Sequence, residues 1–447
     1  MDRTTWLDGL RGIAAAVVAF DHYFMGGVLD VAFRSFWADP PEENRRLIQL
    51  PPIRVLFASH AMVSLFFVIS GYAISINLLR ARNQASRPGN PQGSDFLRRL
   101  SSAATRRIFR IYLPVFVIAV LTQILFFCGV YHWHFDDGIV WGRRPWTAPF
   151  FHLTYLGRYC LDIMNIIQFH DNPGLNGQLW TMPLEFRGSC VIYLTVLALA
   201  SWKPTSRRGA LIVMMGYWFY YGLWDIVAFL AGLYLAEGKI ASPESASSSQ
   251  ADEEVKLLLP LYISHRWTKH FPAVDFSRLR VVFSFVFGLY LICLSDDGHL
   301  PPGYQFLRHL QSSRWDDEWS VVHRSWKAVG SVLLVYAIGK SSLLQRPFNS
   351  APVQYLGRIS FSLYLIHQAV YRIAREPVRN FIWWLVTRED YATVENASSR
   401  VLPFAFSWMV TLLIMGAAVV YLADLFTRFV DVKSVLFAKR FEKLVSR

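Results

Sequence analysis

Charge is scarce in this sequence: 17% of its 447 residues are Asp, Glu, Lys or Arg, against about 25% in soluble domains. Such a chain lacks the charge to cover a water-facing surface, and 53% of it is apolar and 16% aromatic. Cysteine is scarce too. Cys128, Cys160, Cys190 and Cys293 are far apart and form no CxxC pair, which excludes a zinc motif or a disulfide framework; they read as packing residues, and no metal site is expected. No internal repeat of fixed period is present, so solenoids are excluded. The chain reads as one domain over residues 1–447, with no soluble module appended at either end.

What the sequence has in quantity is long apolar runs. Mean hydropathy is positive, and several stretches approach the roughly 20 apolar residues that cross a hydrocarbon core about 30 Å thick. The expected fold is therefore all-α, a polytopic membrane helix bundle with ten spans. They are placed at Ile13–Leu29, Val55–Leu79, Ile108–Val130, Leu179–Trp202, Ala210–Tyr221, Trp224–Glu237, Leu279–Leu294, Trp326–Ser341, Ile359–Ile373 and Leu402–Phe426. The first run follows Arg3 and Arg11 as a signal peptide would, but it carries Asp21 and His22 and reads as a retained helix.

The formal charge of +13 would suggest a polyanion partner in a soluble protein. In a membrane protein basic residues gather in cytoplasmic loops and face anionic lipid, so no nucleic acid is expected. With both termini cytoplasmic, the inner side receives Arg80 to Arg107, Lys203 to Arg208, Lys239 to Arg278, Arg346 and Lys433 to Arg447. The sequon at Asn396 then falls in a loop on the opposite side, where glycosylation can occur. Residues 240–278, aperiodic and rich in Ser, Ala, Asp and Glu near Ser242–Glu254, are expected to be a flexible cytoplasmic loop.

Ionisable groups inside membrane helices are costly, so each is a functional candidate. Arg11 and His22 lie eleven residues apart, close to three turns, which puts them on one face with His22 about 16 Å deeper. Gly12 and Ala14 to Ala16 beside them permit close helix packing. Arg107 and Arg110 are neighbours on a second helix, where two guanidinium forks can grip phosphate. Glu185, in the block beginning at Trp180, places a carboxylate at the start of a helix, where Arg187 is a ready neutralising partner. Tyr364 and His367 are three apart on another helix face. Asp8 reads as a helix N-cap, and Asp21 adjoins His22 but points about 100° away.

In order and character these blocks, with Ser64-Leu65-Phe66-Phe67-Val68-Ile69-Ser70-Gly71-Tyr72, resemble the acyltransferase-3 family of membrane O-acyltransferases. The likeness spans nearly the whole chain, although residues 205–350 contribute mainly hydropathy. Thr181-Met182-Pro183 stands where the family more often has a Ser-Leu pair, which weakens the carry-over to Glu185. The resemblance implies transfer of an acetyl or other short acyl group from acyl-CoA, a co-substrate rather than a bound cofactor, to a hydroxyl of a sugar, lipid or secondary metabolite. It assigns function to Arg11, His22, Arg107 and Arg110. On this reading Arg11, Arg107 and Arg110 hold coenzyme A, His22 is the catalytic base, and Glu185 or His367 relays the proton or orients the acceptor with Tyr364 and Trp180. The sequon and the single-domain build point to a eukaryotic, fungal-type member in an endomembrane or the plasma membrane.

The rival class is a transporter, since intramembrane His, Glu and Arg also build substrate pathways. It predicts inverted repeats with matching broken helices, which the sequence does not show. The enzyme reading makes a geometric demand: the three arginines must share a cavity that reaches His22.

Overall fold

The structure is a computed structural model, and it describes residues 4–25, 28–85, 93–132, 139–168, 174–241, 276–296, 298–315, 318–391 and 394–445. Regular structure among the described residues is helical throughout, with no strand. The long helices are α1 (Thr5–Phe24), α2 (Ser59–Ala85), α3 (Gly93–Phe127), α4 (Pro149–Met164), α5 (Thr181–Ala198) and α6 (Pro204–Tyr220). They continue with α7 (Trp224–Ile240), α8 (Phe276–Ile292), α9 (Trp319–Lys340), α10 (Ala351–Thr387), α11 (Val401–Phe426) and α12 (Val432–Val445).

Each of the ten expected segments falls on a helix of its own, and the expected loop at 240–278 lies almost wholly outside the described residues. Helix α4 was not expected. His152, Arg158 and Asp162 interrupt its apolar pattern, yet His152, Tyr155 and Tyr159 are buried and His152 Nδ1 lies 2.9 Å from Gln123 Nε2 on α3. Tertiary packing makes this helix. Asp8 is not an N-cap: α1 begins at Thr5, and Asp8 sits in its first turn, where a carboxylate suits the helix dipole.

Three helical segments are long and apolar enough to cross a membrane, Ser59–Ala85, Asp95–Phe127 and Val401–Val445, and a fourth is counted if α9 and the bent Ser342–Asn349 segment are one span. Helix α1 misses that standard because Asp8, Arg11 and Asp21 sit within its 20 residues. Of these charges, Arg11 is a candidate functional group. Apolar side chains such as Leu194, Val213, Phe283, Leu402 and Leu413 are more than half exposed, an outer surface suited to lipid rather than water.

Two backbone-to-backbone contacts hold the centre. A Cβ on Gly71 of α2 would lie 2.2 Å from the Phe229 carbonyl oxygen of α7, and one on Gly232 of α7 would lie 2.3 Å from that of Val68. Gly12 of α1 meets Gly357 of α10, with a built Cβ 2.4 Å from the Gly357 nitrogen. Small residues at these crossings let the axes approach more closely than side chains would permit. Helices α1, α2, α5 and α10, with α3 alongside, surround the site.

Candidate active site

Arg11 of α1 and Arg107 and Arg110 of α3 line one cavity of about 660 Å³, together with Glu185 and Thr181 of α5, Ser70 of α2 and Tyr364 of α10. The cavity leads outward into a groove that shares Arg11, Arg110, Ser360 and Phe361 with it. Arg11 and Arg107 are half-buried and Arg110 is exposed. Arg11 Nε is buried and has no hydrogen-bond partner among the described residues. An idle guanidinium donor in a low-dielectric cavity is costly, and a bound anion would satisfy it.

Glu185 accepts a short charge-assisted hydrogen bond from Arg107 Nη2 and another, at 2.7 Å, from Ser70 Oγ. Arg107 Nε donates to Ser189 Oγ at 2.9 Å. The neutralising partner is thus Arg107, not Arg187, which pairs with buried Asp225 at 2.7 Å. Helical periodicity explains the difference. Arg187 is two residues from Glu185, on another face of α5, whereas α3 packs beside the Glu185 face. The site therefore carries three guanidinium groups against one lining carboxylate.

His22 is not in that cavity. It lines a second, larger one of about 1560 Å³, with Asp21, His60, Trp180, Asp296, Gln368 and Arg372. Val63 and Tyr364 line both cavities, so the two are separated by a thin partition. The Tyr364 hydroxyl donates to the Gln178 carbonyl at 2.9 Å and lies 2.9 Å from Thr181 Oγ1. Trp180 lines the His22 cavity and a third cavity but not the arginine cavity; in the third, the Arg324 guanidinium sits 4.7 Å over its ring.

The hydrogen bonds around His22 fix its tautomer. His367 Nδ1 lies 3.1 Å from the Leu363 carbonyl; a carbonyl only accepts, so the proton is on Nδ1 and His367 Nε2 is an acceptor. His22 Nδ1, 2.7 Å from that Nε2, must therefore donate to it. His22 Nε2 is left with its lone pair, the form a general base needs. The Gln368 amide lies 3.0 Å from His22 Nδ1; with its oxygen turned to the ring it shares with His367 Nε2 the single proton of that nitrogen. Asp21 comes nearer than the helical angle suggests, its Oδ2 reaching to 4.0 Å from His22 Nε2.

A cluster on the same cavity escaped the sequence reading. Asp296, just after α8, accepts from His60 Nδ1 at 2.7 Å, from His323 Nδ1 at 2.9 Å and, over a shorter distance, from the buried Lys327. Burial would raise the Asp296 carboxyl, but Lys327 and His60 hold it well below the usual carboxylate range. His60, Asp296 and His323 are near enough to suggest a metal set. The Lys327 ammonium inside the cluster and the short donor–acceptor spacings instead make it an ion-paired hydrogen-bond network. The signal was available: Lys327 is an ammonium inside an expected apolar span. Arg54 on this side bonds the Arg34 and Cys293 carbonyls at 3.2 and 2.8 Å, a clamp on loops rather than a ligand group.

Comparison with known proteins identifies the family. A family model described as an acyltransferase domain matches residues 4–428. The O-acetyltransferase PaAT-1 of Phomopsis amygdali is 26% identical over 465 residues, covering 98% of this chain and 84% of its own. The acyltransferase clz18 of Cochliobolus lunatus is 24% identical, covering 96% of this chain and 93% of its own. The acyltransferase R4 of Phoma sp. is 20% identical over the same 96% and 93%. No solved structure matches the chain. With its helical architecture and a family match over nearly its whole length, the chain belongs to the acyltransferase-3 family.

Proposed function

We propose that this acyltransferase takes an acetyl or other short acyl group from acyl-CoA and delivers it to a hydroxyl of a sugar, lipid or secondary metabolite. One observation carries the reading: three arginines with a single lining carboxylate share a cavity that, although it does not reach His22, shares Val63 and Tyr364 with the cavity His22 lines. The anionic end of coenzyme A enters by the groove and is held by Arg11, Arg107 and Arg110, while its arm runs inward past Ser70 to Tyr364. The acceptor occupies the larger cavity. The O-acetyl chemistry in the name of the Phomopsis relative supports both the acyl size and the hydroxyl acceptor.

In the step itself His22 Nε2 removes the acceptor hydroxyl proton as the oxygen attacks the thioester carbonyl. The C–S bond breaks, and the departing thiolate takes that proton from the imidazolium. His367 is a positioning residue, since its acceptor nitrogen holds His22 in the productive tautomer. Glu185, bonded to Arg107 and Ser70, acts by orienting the guanidinium. Tyr364 and Val63 must shift for the thioester to meet His22.

The reading places both termini on the cytoplasmic side of an endomembrane or the plasma membrane. Asn396, exposed on a short helix between α10 and α11, is then a glycosylation acceptor on the far side. The decisive experiment measures coenzyme A release by purified protein across candidate alcohols. Acceptor-dependent release that His22→Ala abolishes is expected. Release unchanged by that substitution removes the base assignment, and uptake into proteoliposomes without release points to a transporter.

A further inference from the structure

The groove outside the arginine cavity holds a fourth guanidinium that the mechanism above does not use. Arg358 of α10 lines it with Asp8, Arg11, Arg110, Tyr355 and Asp431. The two carboxylates are the charge neighbours of the inner arginines: Asp431 lies within the fields of both Arg110 and Arg11, and Asp8 within that of Arg11. Arg358 is exposed and forms no ion pair among the described residues; its guanidinium rests 5.2 Å over the Tyr355 ring.

Depth along the helices places this group. Arg358 precedes His367 by nine residues on α10, about 13 Å at 1.5 Å per residue, and Arg11 precedes His22 by eleven on α1, about 16 Å. The two imidazoles touch at 2.7 Å. Arg11 and Arg358 therefore stand at nearly the same depth below them, one inside the cavity and the other in the groove. Coenzyme A carries its 3′-phosphate on C3′ and its pyrophosphate, through C5′, on the neighbouring C4′ of one ribose. A site that grips both needs cations side by side at nearly one depth.

Resting on the donor reading above, we propose that Arg358 binds the ribose 3′-phosphate of coenzyme A, with Tyr355 offering its ring beside the adenine, while Arg11 and the α3 arginines hold the pyrophosphate. The groove would then read the one phosphate that distinguishes coenzyme A from dephospho-coenzyme A. Arg is the fitting residue, because its planar fork meets a phosphate with two parallel bonds.

The test is a calorimetric titration of the full-length detergent-solubilised protein with coenzyme A and with dephospho-coenzyme A. Wild type is expected to bind coenzyme A about tenfold more tightly, the effect of one charge-assisted contact. Arg358→Gln removes that difference by weakening coenzyme A alone, and Arg358→Lys restores part of it. Arg11→Gln weakens both ligands alike. Equal wild-type affinities, or an Arg358→Gln variant that weakens both ligands equally, overturn the assignment of Arg358 and leave the donor reading standing. Failure of wild type to bind either ligand overturns both.

Discussion

The two cavities on either side of Tyr364 handle charge differently. On the His22 side the Asp296 and Arg54 charges are paired locally, although Asp21 keeps a buried Oδ1 with no hydrogen-bond partner among the described residues. Asp296 is met by Lys327, His60 and His323, and Arg54 by backbone carbonyls. On the arginine side the account does not balance, because Glu185 answers Arg107 while Arg11 keeps a buried donor without a partner. A buried guanidinium donor without a partner is costly, and an anion arriving in the cavity would complete it. On the proposed reading, the arginine side would receive a charged donor and the His22 side a neutral acceptor and one mobile proton.

That contrast can be broken at four points. His22→Ala is expected to lower the rate of acceptor-dependent coenzyme A release by about 10²–10⁴-fold, the usual contribution of a general base, with donor affinity little changed. Lys327→Met strips the buried ammonium from the half-exposed Asp296, which keeps His60 and His323, and is expected to cost about 2 kcal/mol of stability, read as a lowered thermal midpoint in detergent. A variant as stable as wild type would show that Lys327 is not structurally committed. Arg11→Gln leaves the His22 side intact and is expected to raise the donor Kd about tenfold. The smallest effect belongs to Tyr364→Phe, which removes the hydroxyl's bonds to Gln178 and Thr181 at the partition. About 1 kcal/mol is expected, seen as a few-fold change in rate without loss of donor binding.

Much of this was legible in the sequence because polar groups inside membrane helices are too costly to be accidental. Arg11, Arg107, Arg110, Glu185 and Tyr364 were named from the sequence, and they line one cavity. His22 and His367 were named separately, and their rings stack with centroids 5.0 Å apart. Pairing between helices was not legible. Glu185 was matched with Arg187 because sequence proximity is visible and helix packing is not. The partition at Val63 and Tyr364 is likewise a product of where α2 and α10 meet. The Asp296 cluster draws its members from α2, α9 and the end of α8, three segments with no shared motif. Helix α4 was hidden for a different reason: its buried face is built from His152, Tyr155 and Tyr159, so amphipathic polarity obscures the run.

On the proposed donor reading, the contact of Gly12 with Gly357 has a consequence for which thioesters would be accepted. Two rods pressed together at the backbone cannot slide past one another, so the interval from Arg11 on α1 to His367 on α10 behaves as a fixed gauge. A carrier whose arm is cut short, or stretched by an inserted carbon pair, would present its carbonyl above or below the mark however well its phosphates sat. Selection among carriers would then depend on reach, and Gly12→Ala, by forcing the rods apart, would loosen the gauge.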